Sequence, residues 1–100
     1  MKKLNMSDGL ALCRETPGAL LLDVRDPEEY AMGRIPGSVN LPLGRIREIG
    51  DLAEDLETPL FVYCLSGGRS SRACAALAAM DYEDVTDLGG IHRYVGELEK

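Results

Sequence analysis

Composition and charge limit the class of protein. The chain has 100 residues, 45% of them hydrophobic, with a net charge of −6 and a pI of about 4.7. The length and hydrophobic content predict one globular domain over residues 1–100. The acidic net charge argues against nucleic acid or an anionic membrane as a partner. No apolar run approaches the ~20 residues that cross a bilayer.

Predicted strands and helices alternate along the chain. In chain order they are a helix over 7–15, a strand over 19–24, a helix over 26–33, a very short strand over 38–41, a helix over 43–57, a strand over 59–64, a helix over 69–81, a strand over 84–88, and a glycine turn followed by a helix over 89–99. This alternation predicts an α/β fold with a mainly parallel sheet.

Local signals support the helices of the first half. Ser7 is the expected N-cap of the first helix. Asp26 as N-cap, Pro27 at the first helical position and Gly33 as the stop define the second. The third is expected to be amphipathic, because its apolar residues fall on one stripe. That stripe comprises Ile46, Ile49, Leu52, Ala53 and Leu56.

Cys64 is the strongest candidate for a reactive residue in the sequence. It ends an apolar run that predicts a buried, central strand, and ligands of parallel sheets bind at the carboxyl ends of strands. A thiolate at the start of the next helix would meet unpaired backbone N–H groups. Gly67 and Gly68 would let the loop curl into an anion-binding nest, and Arg69 adds a cation.

The remaining cysteines and the single histidine suggest no metal site. Cys13 and Cys74 lie in apolar helical runs and are expected to be packed core residues. Three cysteines without a Cys-x-x-Cys pair fit neither a disulfide scaffold nor a zinc site. His92 is expected to face solvent, and no metal or other cofactor is predicted. Charges within residues 1–15 interrupt any secretory h-region, so a cytoplasmic location is expected.

Four motifs in order resemble the single-domain rhodanese, or sulfurtransferase, family along almost the whole chain. The first, LLLDVRDPEEYAMGRIPGSVNLPL (20–43), resembles the early family signature. VYCLSGGRSS (62–71) resembles the active-site loop Cys-x-x-Gly-x-Arg-Ser. CAALAAMDYEDV (74–85) is similar to the following helix and turn, and LGGIHRY (88–94) resembles Leu-x-Gly-Gly plus an aromatic residue.

The resemblance implies a rhodanese-like sheet of about five strands with helices on both faces. Cys64 would take the outer sulfur of a small anionic donor such as thiosulfate as a persulfide and pass it to a thiol or cyanide. The loop N–H groups would hold the persulfide, and Arg69 would help to bind the donor. Whether the donor or a sulfur-relay protein loads Cys64 stays open. The loop consists of Leu65, Ser66, Gly67, Gly68, Arg69 and Ser70.

Several residues depart from the family pattern or admit two roles. Arg34 replaces the usual His, Ser38 the usual Ala, and Tyr94 the usual Trp. Asp23 and Arg25, near a strand end, are expected to form a structural ion pair. Three arginines are expected either to rim the pocket or to be ordinary solvated surface, namely Arg34, Arg45 and Arg47.

Two alternative functions remain beside sulfur transfer. Phosphatases and arsenate reductases of the same fold use a Cys-x5-Arg loop, whereas only four residues separate Cys64 from Arg69 here. The shorter loop favours a sulfur atom over a phosphate group. The other alternative is a rhodanese-like module that only binds or regulates, but such modules commonly lack the loop cysteine.

Overall fold

A five-stranded parallel β-sheet forms the centre of the computed structural model, which describes residues 1–100. The strands are β1 (Lys2–Lys3), β2 (Leu20–Asp23), β3 (Val39–Asn40), β4 (Leu60–Cys64) and β5 (Val85–Gly90). Their order across the sheet is β1-β5-β4-β2-β3, and every neighbouring pair is parallel. The helices are α1 (Met6–Glu15), α2 (Pro27–Met32) and α3 (Gly68–Ala79), with 3₁₀ segments at Leu43–Asp51 and Ile91–Arg93.

Strand β4 is the middle strand, and all five of its residues are buried. Successive side chains of a strand point to opposite faces of a sheet. Leu60, Val62 and Cys64 accordingly belong to one apolar cluster, whereas Phe61 and Tyr63 belong to another. The continuous apolar sequence is therefore explained by a strand that is covered on both sides.

Helices cover both faces of the sheet, as predicted. The cluster that holds Cys64 includes Ala73, Cys74 and Leu77 of α3, together with Ile46 and Ile49 of the first 3₁₀ segment. The cluster on the opposite face contains Met6 and Leu10 of α1. The α/β architecture inferred from the sequence is confirmed. The longest helix has 12 residues, and no helix is both long and apolar enough to span a membrane.

The helix predicted over 43–57 is wrong in type and in length. The chain forms a 3₁₀ segment over Leu43–Asp51, which is interrupted at Arg45 (φ −116°, ψ 16°). Ile46 and Ile49 still face the core, because residues three apart align in a 3₁₀ helix. Leu52 and Leu56 are 43% and 42% exposed, so the predicted stripe ends early. Two glycines within the segment weaken any α-helix there.

The helix predicted at the C-terminus is also wrong. Gly89 and Gly90 extend β5 and pair with Tyr63 and Cys64 of β4, so the strand is longer than expected. Only a single 3₁₀ turn follows, and the chain then runs without a helix to Glu99. The backbone of Glu99 pairs with that of Arg34 in an antiparallel bridge. Tertiary pairing thus overrides the local helical pattern.

The N-terminus differs from the prediction in two ways. No sequence signal predicts strand β1, because two residues carry no readable alternation. Helix α1 begins earlier than expected, and its N-cap is Asn5 rather than Ser7. The Asn5 side-chain oxygen accepts the N–H of Asp8 at 2.8 Å. For α2, the N-cap is Asp26 and the C-cap is Gly33, as predicted.

Exchange of the capping side chain tests this assignment. Asn5→Ala is expected to lower the free energy of unfolding by about 1 kcal/mol, because an N–H in the first turn loses its acceptor. Ser7→Ala is the matched control and is expected to be nearly neutral. Chemical denaturation measures the free energy of unfolding of both variants. A larger loss for Ser7→Ala than for Asn5→Ala would contradict the assignment of Asn5 as the N-cap.

Candidate active site

The thiol of Cys64 lies beneath a short exposed loop at the carboxyl end of β4. Cys64 is 1% exposed, whereas Leu65 and Ser66 of the loop are exposed. The backbone N–H of Gly67 donates a hydrogen bond to Cys64 Sγ at 3.0 Å. The sulfur therefore accepts a hydrogen bond from one of the loop N–H groups that the sequence predicts near it.

Other N–H groups of the loop have no acceptor within the protein. They precede or open α3, where the first N–H groups of a helix lack intrahelical partners. Such groups favour a negative charge, as does the N-terminal end of the helix dipole. They belong to Leu65, Ser66, Gly68, Arg69 and Ser70.

The two loop glycines are not equivalent. Gly67 has φ +111°, a conformation that side chains disfavour. Gly68 is the first residue of α3, and a Cβ there would meet no atom within 4 Å. The expectation that both glycines curl the loop is therefore wrong for Gly68. The turn depends on Gly67 alone.

Arg69 is held by a carboxylate that the sequence analysis did not single out. Its two terminal nitrogens donate to Glu29 Oε1 and Oε2 at 2.6 and 2.9 Å. The Arg69 guanidinium lowers the pKa of Glu29 from the usual 4.5 to about 2, chiefly through these hydrogen bonds. Glu29 also accepts the N–H of Asp26 at 3.0 Å, so it joins the start of α2 to the start of α3.

A second overlooked carboxylate anchors the loop from the sheet. Asp87 of β5 is 2% exposed, and its Oδ1 accepts the Ser70 hydroxyl at 2.8 Å and the Gly89 N–H at 2.9 Å. The Ser70 hydroxyl also lies 3.0 Å from the carbonyl oxygen of Gly67. The sequence signal for Asp87 is its acidic side chain within a predicted apolar strand.

Asp23 and Arg25 form the buried ion pair that the sequence suggested. Arg25 Nη2 lies 2.7 Å from Asp23 Oδ2 and donates to the Gly33 carbonyl at 2.7 Å. The Asn40 amide donates to the backbone carbonyls of both residues at 3.0 Å. The pair thus fixes the end of β2 against α2 and β3, beside the loop rather than in it.

Neither of the other cysteines resembles Cys64 in its surroundings. Cys74 is fully buried in α3, and burial raises the pKa of its thiol to about 12. Cys13 is half-buried in α1, and burial raises the pKa of its thiol as well. Both thiols therefore resist ionisation.

The arginines expected at the rim are mostly engaged elsewhere. Arg34 pairs with Glu99 at 3.3 Å and Arg45 with Glu48 at 2.8 Å, while Arg47 has no carboxylate partner. His92 is exposed, as expected, but it also touches the loop. Its Nδ1 lies 3.0 Å from the Leu65 carbonyl oxygen, so this nitrogen must carry the donated proton.

The residues that depart from the family pattern have structural partners. Ser38 Oγ accepts the hydroxyl of the buried Tyr63 at 3.0 Å, and Tyr63 in turn accepts the Ile35 N–H at 3.2 Å. Tyr94 donates to the Glu97 carbonyl at 3.1 Å and packs on the α1 side of the sheet. No group of three or more His, Cys, Asp or Glu side chains is arranged to hold a metal ion.

The fold and the loop define an α/β domain that presents one thiol to backbone N–H groups at a strand end. The family model of the rhodanese-like domain matches residues 7–97. The chain therefore belongs to the rhodanese-like domain family, which confirms the resemblance of the four sequence motifs.

Individual relatives agree with this membership. The chain is 40% identical over 73 residues to the thiosulfate sulfurtransferase GlpE of Pseudomonas fluorescens, a match that covers 73% of this chain and 66% of that protein. It is 35% identical over 71 residues to the thiosulfate sulfurtransferase PspE of Escherichia coli, covering 70% and 68%. A solved structure described as rhodanese with anions from E. coli has a TM-score of 0.77 at 30% identity, covering 82% of this chain and 98% of that one.

Substitution of each loop glycine tests their different roles. Gly67→Ala is expected to cost about 2 kcal/mol of unfolding free energy, because alanine is strained at φ +111°. Gly68→Ala is the control and is expected to be neutral or slightly stabilising, since alanine favours a helix. Denaturant titration of both variants measures the difference, and equal losses would refute it.

The Glu29–Arg69 pair predicts a specific pH dependence of stability. Because the folded-state pKa of Glu29 is lowered, the pair stabilises the fold above pH 4.5 and this contribution disappears between pH 4.5 and about 2. Glu29→Gln is therefore expected to be less stable than the parent chain at pH 7. The difference should shrink towards zero as the pH falls to about 2.

Unfolding curves of the two chains at several pH values measure this effect. Glu48→Gln is the control, since its partner Arg45 forms an exposed pair outside the loop. A difference between Glu29→Gln and the parent chain that does not change with pH would show that Glu29 acts by packing alone.

Proposed function

We propose that the chain is a sulfurtransferase that carries a sulfane sulfur as a persulfide on Cys64. One observation carries the proposal. The sulfur of Cys64 lies at the end of the central strand, where it accepts the Gly67 N–H at 3.0 Å within a loop of otherwise unpaired N–H groups. Thiosulfate sulfurtransferases among its relatives support the same reaction.

The proposed first step uses a donor such as thiosulfate. The Cys64 thiolate attacks the outer sulfur of the donor, and a new S–S bond forms. The original bond between the two donor sulfurs breaks, and its electron pair leaves with sulfite. The N–H groups of the loop stabilise the negative charge on the thiolate before the step and on the persulfide after it.

The proposed second step returns the enzyme to its starting state. An acceptor thiolate or cyanide attacks the outer sulfur of the persulfide, and the electron pair of the broken bond returns to Cys64 Sγ. No metal or cofactor takes part in either step. The proposed substrates are thus a small anionic donor and a thiophilic acceptor, and a sulfur-relay protein remains a candidate for loading Cys64.

The proposed donor site consists of the loop from Leu65 to Ser70. Arg69 contributes its positive charge, but Glu29 already binds both terminal nitrogens of its guanidinium. Arg69 therefore acts mainly by fixing the loop against α2, and the backbone N–H groups provide most of the contacts to the donor. The expectation that Arg69 helps to bind the donor stays a prediction.

The loop length favours this function over phosphatase or arsenate reductase activity. Four residues separate Cys64 from Arg69, one fewer than in the Cys-x5-Arg loops of those enzymes. A module that only binds a partner would need neither the thiol nor its N–H contact. Turnover of aryl phosphates without turnover of thiosulfate would favour phosphatase activity over sulfur transfer. The cytoplasmic location stays a prediction.

Mass spectrometry after thiosulfate treatment tests the proposed function. We expect the gain of one sulfur atom per chain, mapped to Cys64, and no gain in Cys64→Ser, because a hydroxyl cannot form a persulfide. Cys13→Ser and Cys74→Ser are the controls and should retain the gain, with Cys74→Ser less stable because its hydroxyl is buried. Sulfur mapped to Cys13 or Cys74 would contradict the mechanism.

A further inference from the structure

An open groove of about 760 Å³ lies directly beside the Cys64 loop. It is bounded by the loop, the end of β5, the turn that follows it, and the start of α1. We refer to it as the β5–α1 groove. Its lining includes Lys3, Asp8, Ser66, Gly67, His92 and Arg93.

The β5–α1 groove carries positive charge on an acidic protein. Lys3 and Arg93 are exposed, and neither has a carboxylate within salt-bridge distance. His92 contributes a further polar ring. Asp8 is the acidic residue of the lining, and its carboxylate accepts the Asn5 amide at 2.9 Å.

Lys3 and Arg93 differ from three other arginines, which are paired, although Arg72 of α3 is also exposed and has no carboxylate partner. The guanidinium of Arg69 is bound by Glu29, and the Arg25 side chain is bound by Asp23. Arg34 is bound by Glu99. An anion that approaches the loop therefore meets Lys3 and Arg93 as unpaired charges.

The volume of the groove indicates the size of its ligand. Ligand sites of 300–1,000 Å³ typically bind organic molecules of drug size. Thiosulfate and cyanide need no such space, whereas a thiol acceptor with a peptide framework does. Gly67 both lines the groove and donates its N–H to Cys64 Sγ, so this glycine connects the groove to the reacting sulfur, although Cys64 itself is not part of the lining.

We propose that the β5–α1 groove binds the acceptor, and that this acceptor is a peptide-sized thiol with carboxylate groups that Lys3 and Arg93 contact. The proposal rests on the sulfurtransferase function proposed above and assigns the second half of that reaction to a separate surface. Donor binding stays with the loop. The carboxylates of the acceptor orient its sulfur towards Gly67 and the persulfide.

The transfer step at this site is balanced without any further reagent. The acceptor thiol first gives its proton to water, and its thiolate sulfur attacks the outer sulfur of the Cys64 persulfide. A bond forms between these two sulfurs, and the bond to Sγ breaks. Its electron pair returns to Sγ as a thiolate, while the outer sulfur leaves as a persulfide of the acceptor.

Paired acceptors provide the kinetic test. Glutathione and its diethyl ester share the thiol and the peptide framework, but only glutathione has free carboxylates. In the Lys3→Ala, Arg93→Ala double variant, the KM for glutathione is expected to rise about fivefold relative to that for the ester, as expected for two exposed ion pairs. Arg14→Ala, in the last turn of α1, is the control and should leave the ratio of KM values unchanged.

A binding measurement separates the groove from the reaction itself. S-methylglutathione cannot accept sulfur, so its titration by NMR is independent of turnover. We expect shifts in the amides of Ser7, Gly89, Gly90 and Arg93, weakened in the double variant and at high salt. Absence of these shifts, or an unchanged ratio of KM values, would overturn the groove assignment. Shifts in a protein that forms no persulfide would instead overturn the proposed function and leave the groove as a binding site.

Discussion

The main constraint on this structure is the turn from the central strand into α3. The chain leaves β4 at Cys64 and enters the helix at Gly68, so only three residues bridge the two elements. This turn requires the positive φ of Gly67, and it brings the Gly67 N–H to 3.0 Å from Cys64 Sγ. The loop N–H groups remain unpaired because the turn is too short to supply acceptors.

The surrounding residues keep this short turn in place. Glu29 holds Arg69 from the side of α2, and Asp87 holds Ser70 from the side of β5. The two carboxylates thus anchor consecutive residues of the loop to different elements. A loop fixed on both sides loses little entropy when it binds a substrate. The cost is that the positive charge of Arg69 is shared with Glu29 before any anion arrives.

The sequence predicted those parts of the fold that local chemistry determines. Helix α2 was readable because Asp26, Pro27 and Gly33 each have a positional role. Strand β4 was readable because it is covered on both faces, and Cys64 was readable because it ends that strand. The family membership followed from four motifs in order.

The sequence failed where distant pairing or backbone geometry decides the structure. Strand β1 exists only because β5 provides its partner, and no two-residue pattern can reveal that. The segment 43–51 keeps an apolar stripe in a 3₁₀ helix, which has nearly the same spacing of apolar residues as an α-helix over one turn. Glu29 looked like an ordinary acid of a first helical turn, because its partner lies forty positions away in sequence.

The pairing of β1 with β5 has a consequence for synthesis of the chain. Lys2 and Lys3 pair with Thr86 and Asp87, so β1 can form only after residues far along the chain have been synthesised. Until then β5 has not formed, and the α1 side of the sheet lacks Leu88 of its apolar cluster. A nascent chain that has not yet completed β5 therefore leaves α1 with an incomplete apolar cluster, and during that interval chaperones and other chains can reach the uncovered part.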